Sequence, residues 1–148
     1  MSFQFEKSII LDLYAGTGSF GLECLSRQAE SVCFVEKAKD ARKILEKNIE
    51  KLKIKKNVDI FLDDVFNVIK KRSIFQSKFD LIFCDPPFKD LNIEKLIQLI
   101  SNNNVLRKEG ILVLHRNKST KEKLPNYFKI IDEKIYGISK VTFGKFLP

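Results

Sequence analysis

The chain has 148 residues, of which 44% are hydrophobic and 31% are charged, and its formal net charge is +8. This composition is typical of one folded globular domain and excludes a disordered chain, and no apolar run approaches the ~20 residues of a membrane-spanning helix. Its three cysteines lack C-x-x-C spacing, which argues against a disulfide framework and favours a reducing, cytoplasmic setting. The charge leaves two interpretations open, a polyanionic partner or a lysine-rich solvated surface.

A glycine-rich loop follows the first predicted strand, which begins at Ile9 and ends on Asp12 and Tyr14. The loop contains Gly16, Gly18 and Gly21 at G-x-G-x-x-G spacing and opens a helix. Such glycines let the backbone approach a ligand, and the free N–H groups at the helix start face the same place. The loop predicts a nucleotide-like cofactor at the carboxyl edge of a parallel sheet, although a plain strand–turn–helix explains such glycines about as often.

Strands and helices alternate along the rest of the chain. The predicted strands are Ser31 to Glu36, Val58 to Leu62, Phe79 to Cys84 and Ile111 to Leu114, and the predicted helices are Leu22 to Gln28, Ala38 to Leu52, Val65 to Arg72 and Ile93 to Ser101, with Asn92 as an N-cap and Asn102 to Asn104 as a loop. The last two predicted strands, Tyr127 to Tyr136 and Ser139 to Phe146, have no helix between them and are expected to be antiparallel. The pattern predicts one α/β domain over residues 1–148, with a doubly wound, mostly parallel sheet and an antiparallel C-terminal edge strand.

Four predicted strands end on or beside a carboxylate, namely Asp12, Glu36, Asp64 and Asp85. Ligands of open α/β sheets bind along this edge. Glu36 lies twenty residues after Gly16, the offset at which an acid accepts hydrogen bonds from the ribose of NAD or of S-adenosylmethionine. Asp12 favours S-adenosylmethionine, because an acid beside the glycine loop repels a pyrophosphate and attracts a sulfonium and an ammonium group.

Two of these acids have a second interpretation. Asp64 either accepts a hydrogen bond from the adenine amino group or caps the following helix, and the two roles are compatible. For Glu36 the alternative is a favourable acid before a helix N-terminus. Tyr14 and Val65 complete the predicted cofactor site.

The second informative motif is Asp85-Pro86-Pro87-Phe88. Two prolines remove backbone donors and stiffen the turn, which leaves carbonyls and a carboxylate as acceptors. Asp85 and the Pro86 carbonyl would accept the two N–H bonds of an aromatic exocyclic amine and aim its lone pair at a methyl donor, while Phe88 would stack on the base. The alternative is that the prolines only end a strand and that Phe88 belongs to the core.

Taken together, these motifs resemble the bacterial RsmD family. The segments that carry the resemblance are DLYAGTGSFGLECLSR, VEK at Val35 to Lys37, FDLIFCDPPF and YGISKVTF. The resemblance implies a Rossmann-like class I S-adenosylmethionine-dependent methyltransferase that modifies guanine N2 of small-subunit (16S) ribosomal RNA. It assigns cofactor roles to Asp12, Gly16, Gly18, Glu36 and Asp64, and catalytic roles to Asp85, Pro86, Pro87 and Phe88. Family members usually carry a longer basic segment before the glycine loop, where eight residues precede Ile9 here.

Basic side chains near the second motif are predicted to meet RNA phosphates: Lys89, Arg116, Lys118, Lys121 and Lys123. His115 is the sole histidine, so a histidine metal cluster is excluded and no metal is expected. The residue is interpreted as a surface or edge residue, with a contact to the target base as the lesser alternative. The expected partner is ribosomal RNA or the assembling small subunit, bound by a monomer without a membrane contact.

Three other functions stay open at this point. A methyltransferase of the same kind could act on adenine N6, cytosine N4 or a protein amide. The chain could instead be a non-catalytic RNA-binding module. An NAD-dependent oxidoreductase is disfavoured by Asp12 and by the lack of an evident base for hydride transfer.

Overall fold

The computed structural model describes residues 3–54, 57–71, 78–87 and 92–148. Helices and strands alternate up to the fifth strand, and two further strands close the described chain. The strands are β1 Ile9–Leu13, β2 Ser31–Val35, β3 Val58–Phe61, β4 Phe79–Cys84, β5 Leu106–Asn117, β6 Phe128–Tyr136 and β7 Ser139–Phe146, and the helices are α1 Ser19–Ser26, α2 Lys39–Lys51, α3 Val65–Lys70 and α4 Ile93–Asn102. Within the described ranges, no helix is both long enough and apolar enough to cross a bilayer.

The seven strands form one sheet in the order β3-β2-β1-β4-β5-β7-β6. The pairs from β3 to β5 are all parallel, whereas β7 is antiparallel to both β5 and β6. The predicted doubly wound α/β fold with an antiparallel pairing at its C-terminal edge is confirmed. The reversed strand is β7, which lies between β5 and the edge strand β6. The strand order changes direction between β1 and β4, because the chain first winds outward to β3 and then returns.

Two layers of helices cover the sheet. Helices α1 and α2 contribute Leu22, Cys24 and Leu45 to the core on one face. Helices α3 and α4 cover the other face with seven buried residues: Val65, Val68, Ile69, Ile93, Leu96, Ile97 and Ile100. Because successive side chains of a strand point to opposite faces, each buried parallel strand feeds both cores, which explains the near-continuous apolar runs of its sequence.

The largest difference from the sequence prediction concerns β5, which begins at Leu106 rather than at Ile111. The pairing with β4 shifts between Phe79↔Leu106 and Leu81↔Ile111, and Glu109 in the irregular stretch has φ +67°. Exposed charged residues and a glycine in such a bulge hide the strand pattern in the sequence. The predicted bounds of β4 and β7 are confirmed, the other bounds differ from the prediction by at most three residues, and α4 includes Asn102, which was predicted as loop.

Candidate functional site

The carboxyl ends of β1, β2 and β4 meet where the strand order changes direction, and two adjoining cavities open there. The larger, of about 450 Å³, is lined by Asp12, Tyr14, Ala15, Gly16, Thr17, Ser19, Phe20, Phe83, Asp85 and His115. The smaller, of about 260 Å³, is lined by Tyr14, Val35, Glu36, Lys37, Asp63, Asp64, Val65, Asp85 and Pro87. Tyr14 and Asp85 belong to both cavities, which we call together the acidic cleft. The cleft brings together the acids, the first glycine and the proline turn that the sequence singled out.

Glu36 joins the glycine loop to the start of α2. One oxygen of its carboxylate, Oε1, accepts a hydrogen bond from the Gly16 N–H at 2.8 Å, and the other, Oε2, accepts one from the Ala38 N–H at 2.8 Å. The contact with Ala38 agrees with the interpretation of an acid before a helix N-terminus. Two backbone donors therefore hold this half-buried carboxylate at the rim of the cleft.

The three glycines of the loop are needed for different reasons. Gly16 has φ +58°, and no atom lies within 4 Å of the place where its Cβ would stand. A Cβ on Gly18 would overlap Leu45 of α2, and a Cβ on Gly21 would overlap the Phe34 ring of β2. Packing between helix and strand therefore accounts for Gly18 and Gly21, whereas the open space at Gly16 belongs to the cleft.

Asp12 is the buried acid of the cleft, with 1% of its surface exposed. Its Oδ2 accepts a hydrogen bond from the Gly21 N–H at 3.1 Å. The pKa of this carboxyl is raised to about 8, mainly by burial; the Gly21 hydrogen bond opposes the shift, and the charges of Asp85 and Glu36 add to it. A cation placed in the cleft would favour the ionised form of Asp12, because an opposite charge lowers the pKa of an acid.

Asp64 and Tyr14 both line the smaller cavity, and Tyr14 also lines the larger one. The Asp64 Oδ1 accepts a hydrogen bond from the Phe66 N–H at 2.8 Å, so the capping interpretation is confirmed. Tyr14 has a left-handed backbone with φ +58°, and burial is the main cause that raises the pKa of its phenol. Val65 is buried beside them.

The proline turn begins directly after β4. Asp85 Oδ1 lies 3.0 Å from His115 Nδ1, and both side chains are partly exposed in the cleft. The pairing Cys84↔Leu114 in neighbouring parallel strands brings the next residue of each strand side by side, which explains this contact. The prediction of a surface or edge residue missed the role of His115 as the partner of Asp85. Phe88 and Lys89, which were predicted to stack on the base and to meet phosphate, lie outside the described residues.

Arg116 requires a correction. Its side chain is only 6% exposed, its Nε donates to Glu122 in a buried ion pair, and its Nη1 donates to the Pro87 carbonyl at 3.3 Å. A guanidinium held in this way is not available to a phosphate, so the structure contradicts the predicted RNA contact. Arg116 instead holds the proline turn from the face of the sheet opposite His115.

No spacing rule connects Arg116 with Glu122, so the sequence offered no signal for this pair. The lysines predicted to meet RNA together with it, Lys118, Lys121 and Lys123, are all exposed. They follow β5 at the same edge of the sheet as the cleft.

The cleft as a whole is rich in acceptors. Five carboxylates lie at its walls or rim, from Asp12, Glu36, Asp63, Asp64 and Asp85. Such a site suits a ligand with positive charge and many hydrogen-bond donors. In the part of the chain that the structure describes, no group of three or more His, Cys, Asp or Glu side chains could hold a metal ion.

Comparison with known proteins agrees with this architecture. The family described as conserved hypothetical protein 95 matches residues 1–145. The ribosomal RNA small subunit methyltransferase D of Haemophilus influenzae is 33% identical over 132 residues, which cover 89% of this chain and 68% of that protein. The chain spans 59% to 68% of the length of the first four curated relatives that it matches.

Solved structures show the same fold. A Haemophilus influenzae protein described as a methylase superposes with a TM-score of 0.86 at 31% identity, covering 97% of this chain and 89% of that chain. A Streptococcus mutans protein described as an S-adenosylmethionine-dependent methyltransferase superposes with a TM-score of 0.78 at 20% identity, covering 95% of this chain and 45% of that chain. The resemblance to the RsmD family is thus confirmed: the chain belongs to the conserved hypothetical protein 95 family and has the Rossmann-like fold of class I methyltransferases.

Proposed function

We propose that this chain is an S-adenosylmethionine-dependent methyltransferase of ribosomal RNA, and that its target is the exocyclic N2 amine of a guanine in the small-subunit (16S) RNA. One observation carries the proposal: the acids that follow β1, β2 and β4 and the Asp85-Pro86-Pro87 turn line one cleft at the point where the strand order changes direction. The name of the Haemophilus influenzae relative supports ribosomal RNA as the substrate. We also propose that residues 1–148 act as a single, monomeric methyltransferase domain.

The residues of the cleft fit S-adenosylmethionine. The open space at Gly16 leaves room for its backbone to approach the cofactor. Glu36 retains lone pairs for the ribose hydroxyls, and Asp64 can accept from the adenine amine. Buried Asp12 lies where a sulfonium and an ammonium group would restore its negative charge. The cofactor supplies an electrophilic methyl group, and its positive charge matches these walls.

The chemical step requires positioning more than acid–base power. The guanine amine is a poor nucleophile, because its lone pair is delocalised into the ring. Asp85 and the carbonyls of the proline turn accept the amine's N–H bonds and direct the lone pair toward the methyl donor. The bound cofactor would supply the methyl group, and Asp85 would accept the proton that the amine nitrogen loses when it takes up that group. His115 keeps Asp85 in place at 3.0 Å.

RNA binding would come from cations near the cleft. Lys118, Lys121 and Lys123 remain proposed phosphate contacts because they are exposed at this edge of the sheet. Phe88 remains the proposed stacking partner of the target base, with Lys89 beside it. Arg116 is left out of this set because it is buried and ion-paired.

The proposal is tested by incubating the protein with small ribosomal subunits and S-adenosylmethionine labelled in the methyl group. The RNA is then digested, and the labelled nucleoside is identified. We expect N2-methylguanosine. Label in N6-methyladenosine, N4-methylcytidine or protein would contradict the guanine target. Cofactor binding by calorimetry without any transfer would instead support a non-catalytic module.

The Asp85→Ala variant tests the assigned role. We expect transfer to fall by at least about 100-fold, because the amine loses its charged acceptor, while the affinity for S-adenosylmethionine changes little. Asp59→Ala is the matched control, since this exposed acid lies on β3 away from the lining of the cleft. Full activity of Asp85→Ala would refute the role.

A further inference from the structure

We infer that the tip of the β6–β7 hairpin is a docking surface for the single-stranded RNA that flanks the target base. The hairpin tip is defined here as residues 134–141, from Lys134 to Val141. The inference rests on the proposed function, because it takes the substrate of the acidic cleft to be RNA. It adds the surface that receives the neighbouring nucleotides.

The strand pairing places this tip beside the catalytic turn. His115, which contacts Asp85, pairs with Val141 of β7, and Val141 pairs with Lys134 of β6. Residues opposite one another in paired strands lie on the same face, so Asp85 begins a row that crosses the sheet to Lys134. With neighbouring strands ~4.8 Å apart, three steps across the sheet cover roughly 14 Å, which is within reach of nucleotides flanking the base in the cleft.

The next set of cross-strand neighbours on this face of the sheet includes an aromatic side chain. Asn117 pairs with Ser139, and Ser139 pairs with Tyr136, so Tyr136 lies on the same face as His115 and one row further out. Tyr136 is 62% exposed, and Ile138 in the turn is 67% exposed. An exposed ring next to an RNA-modifying cleft is a stacking platform for any base, because every base has a π-face.

The tip is held in shape before a ligand arrives. Gly137, with φ +56°, and Ile138 form a two-residue turn between the strands. The carbonyl of Ile138 accepts a hydrogen bond from the Lys118 N–H at 2.7 Å, which ties the tip to the segment after β5. A surface fixed in this way loses little entropy when it binds.

The charge of the tip favours RNA over a protein partner. Residues 134–141 read KIYGISKV and include no acid; Lys134 lies on the same face as Tyr136, whereas Lys140 lies on the face of Arg116. Lys118 is exposed next to the tip, and the nearby acid Glu122 is engaged with buried Arg116. Cations interleaved with an aromatic and an aliphatic side chain match a phosphate backbone whose bases are unstacked.

The first test measures binding of a fluorescein-labelled single-stranded oligoadenylate by anisotropy. We expect Tyr136→Ala to weaken the affinity about tenfold and Tyr136→Phe to keep it, because stacking needs the ring and not the hydroxyl. The double variant Lys118→Ala/Lys134→Ala should lower the slope of log affinity against log salt by about 1.4, since each phosphate contact on a single strand contributes ~0.7. Lys108→Ala/Lys129→Ala is the matched control, because these exposed lysines lie at the opposite ends of β5 and β6.

The second test uses methyl transfer to small ribosomal subunits. We expect Tyr136→Ala to raise KM for the particle about tenfold and to leave kcat and the affinity for S-adenosylmethionine unchanged. Unchanged RNA affinity and unchanged KM would overturn the inference, and so would a dimer of the wild-type chain that Tyr136→Ala abolishes in sedimentation. If the wild type transfers no methyl group but the oligoadenylate still depends on Tyr136, the proposed function fails and the docking surface stands.

Discussion

The acidic cleft has two ends, the first formed by β1, β2 and β3 and the second by β4 and β5, and these ends hold their polar residues by different means. At the β1–β2–β3 end, carboxylates accept hydrogen bonds from backbone N–H groups: Asp12 from Gly21, and Glu36 from Gly16 and Ala38. At the β4–β5 end, side chains hold other side chains or the turn: His115 of β5 contacts Asp85 after β4, and Arg116 contacts the Pro87 carbonyl and Glu122 in the segment after β5.

The difference has a physical origin. Carboxylates fixed by backbone donors depend on loop geometry, which a short sequence motif encodes by itself. Pairs that join two strands depend on the strand register, which no single segment encodes. The carboxylates of the first end are therefore fixed by local loop geometry, whereas the second end is a supported turn whose position depends on long-range contacts.

The largest effect should come from breaking the buried pair at the second end. We expect Arg116→Ala to lower the free energy of unfolding by about 3–5 kcal/mol, because Glu122 is left buried without its partner. The exposed pair Arg42–Glu46 provides the control, and Arg42→Ala should cost less than about 1 kcal/mol. Urea unfolding measures both variants, and equal losses would contradict the distinction. If Arg116→Ala does not fold, Arg116→Lys and its rate of methyl transfer test the support of the turn.

A smaller effect is expected at the first end from Glu36→Gln. The amide keeps one oxygen acceptor but cannot accept from both Gly16 and Ala38, so we expect a loss of about 1.5–3 kcal/mol in the free energy of unfolding. The affinity for S-adenosylmethionine should fall as well, as measured by calorimetry. Glu46→Gln on the exposed face of α2 is the control. A stable variant with normal cofactor affinity would show that the loop does not depend on this carboxylate.

Asp12→Asn tests the buried acid through its pH dependence. In the folded protein the pKa of Asp12 is about 8, against 3.8 for the ordinary group. Between these values the folded chain keeps a proton that the unfolded chain has released, so stability falls as pH rises, by up to about 1.4 kcal/mol per pH unit. Asn keeps an oxygen acceptor for the Gly21 N–H and does not titrate. The difference in unfolding free energy between wild type and variant should therefore shrink or change sign from pH 4 to 8, and a constant difference would contradict the shift.

The smallest effect on stability is expected at His115. Its pair with Asp85 is partly exposed, so His115→Ala should change the free energy of unfolding by less than about 1 kcal/mol. The rate of methyl transfer should still fall about tenfold, because Asp85 loses the contact that orients it. His115→Asn retains a polar partner close to the position of Nδ1 and should recover part of the rate. A normal rate for His115→Ala would show that Asp85 does not need His115 to orient it.

The same contrast explains what could be predicted from the sequence. The alternation of apolar runs and helical stripes predicted the doubly wound, mostly parallel sheet, and the offset from Gly16 to Glu36 predicted that both residues belong to the cofactor site. The sequence could not separate Gly16 from Gly18, because the packing of Leu45 against Gly18 involves a helix that begins far along the chain. Arg116 was assigned to RNA from its charge alone.

The second end was less predictable because its signals are spread over the chain. The charged residues before Gly110 concealed the first part of β5. Without that strand's register, His115 could not be placed beside Asp85. The contact between Arg116 and Glu122 depends on the folded path of the chain, and no local sequence pattern predicts it.

The strand end that carries His115 and Arg116 has a consequence for how this chain tolerates insertions. The two residues are adjacent and point to opposite faces, and each grips the same turn, one at Asp85 and the other at Pro87. One extra residue between Ile111 and Leu114 would move His115 and Arg116 to the other faces of the sheet, and both contacts with the turn would be lost. An extra residue in the exposed bulge around Glu109 would be absorbed there, leaving the downstream register untouched. We therefore expect β5 to tolerate an inserted residue near its N-terminal end and not next to His115 and Arg116.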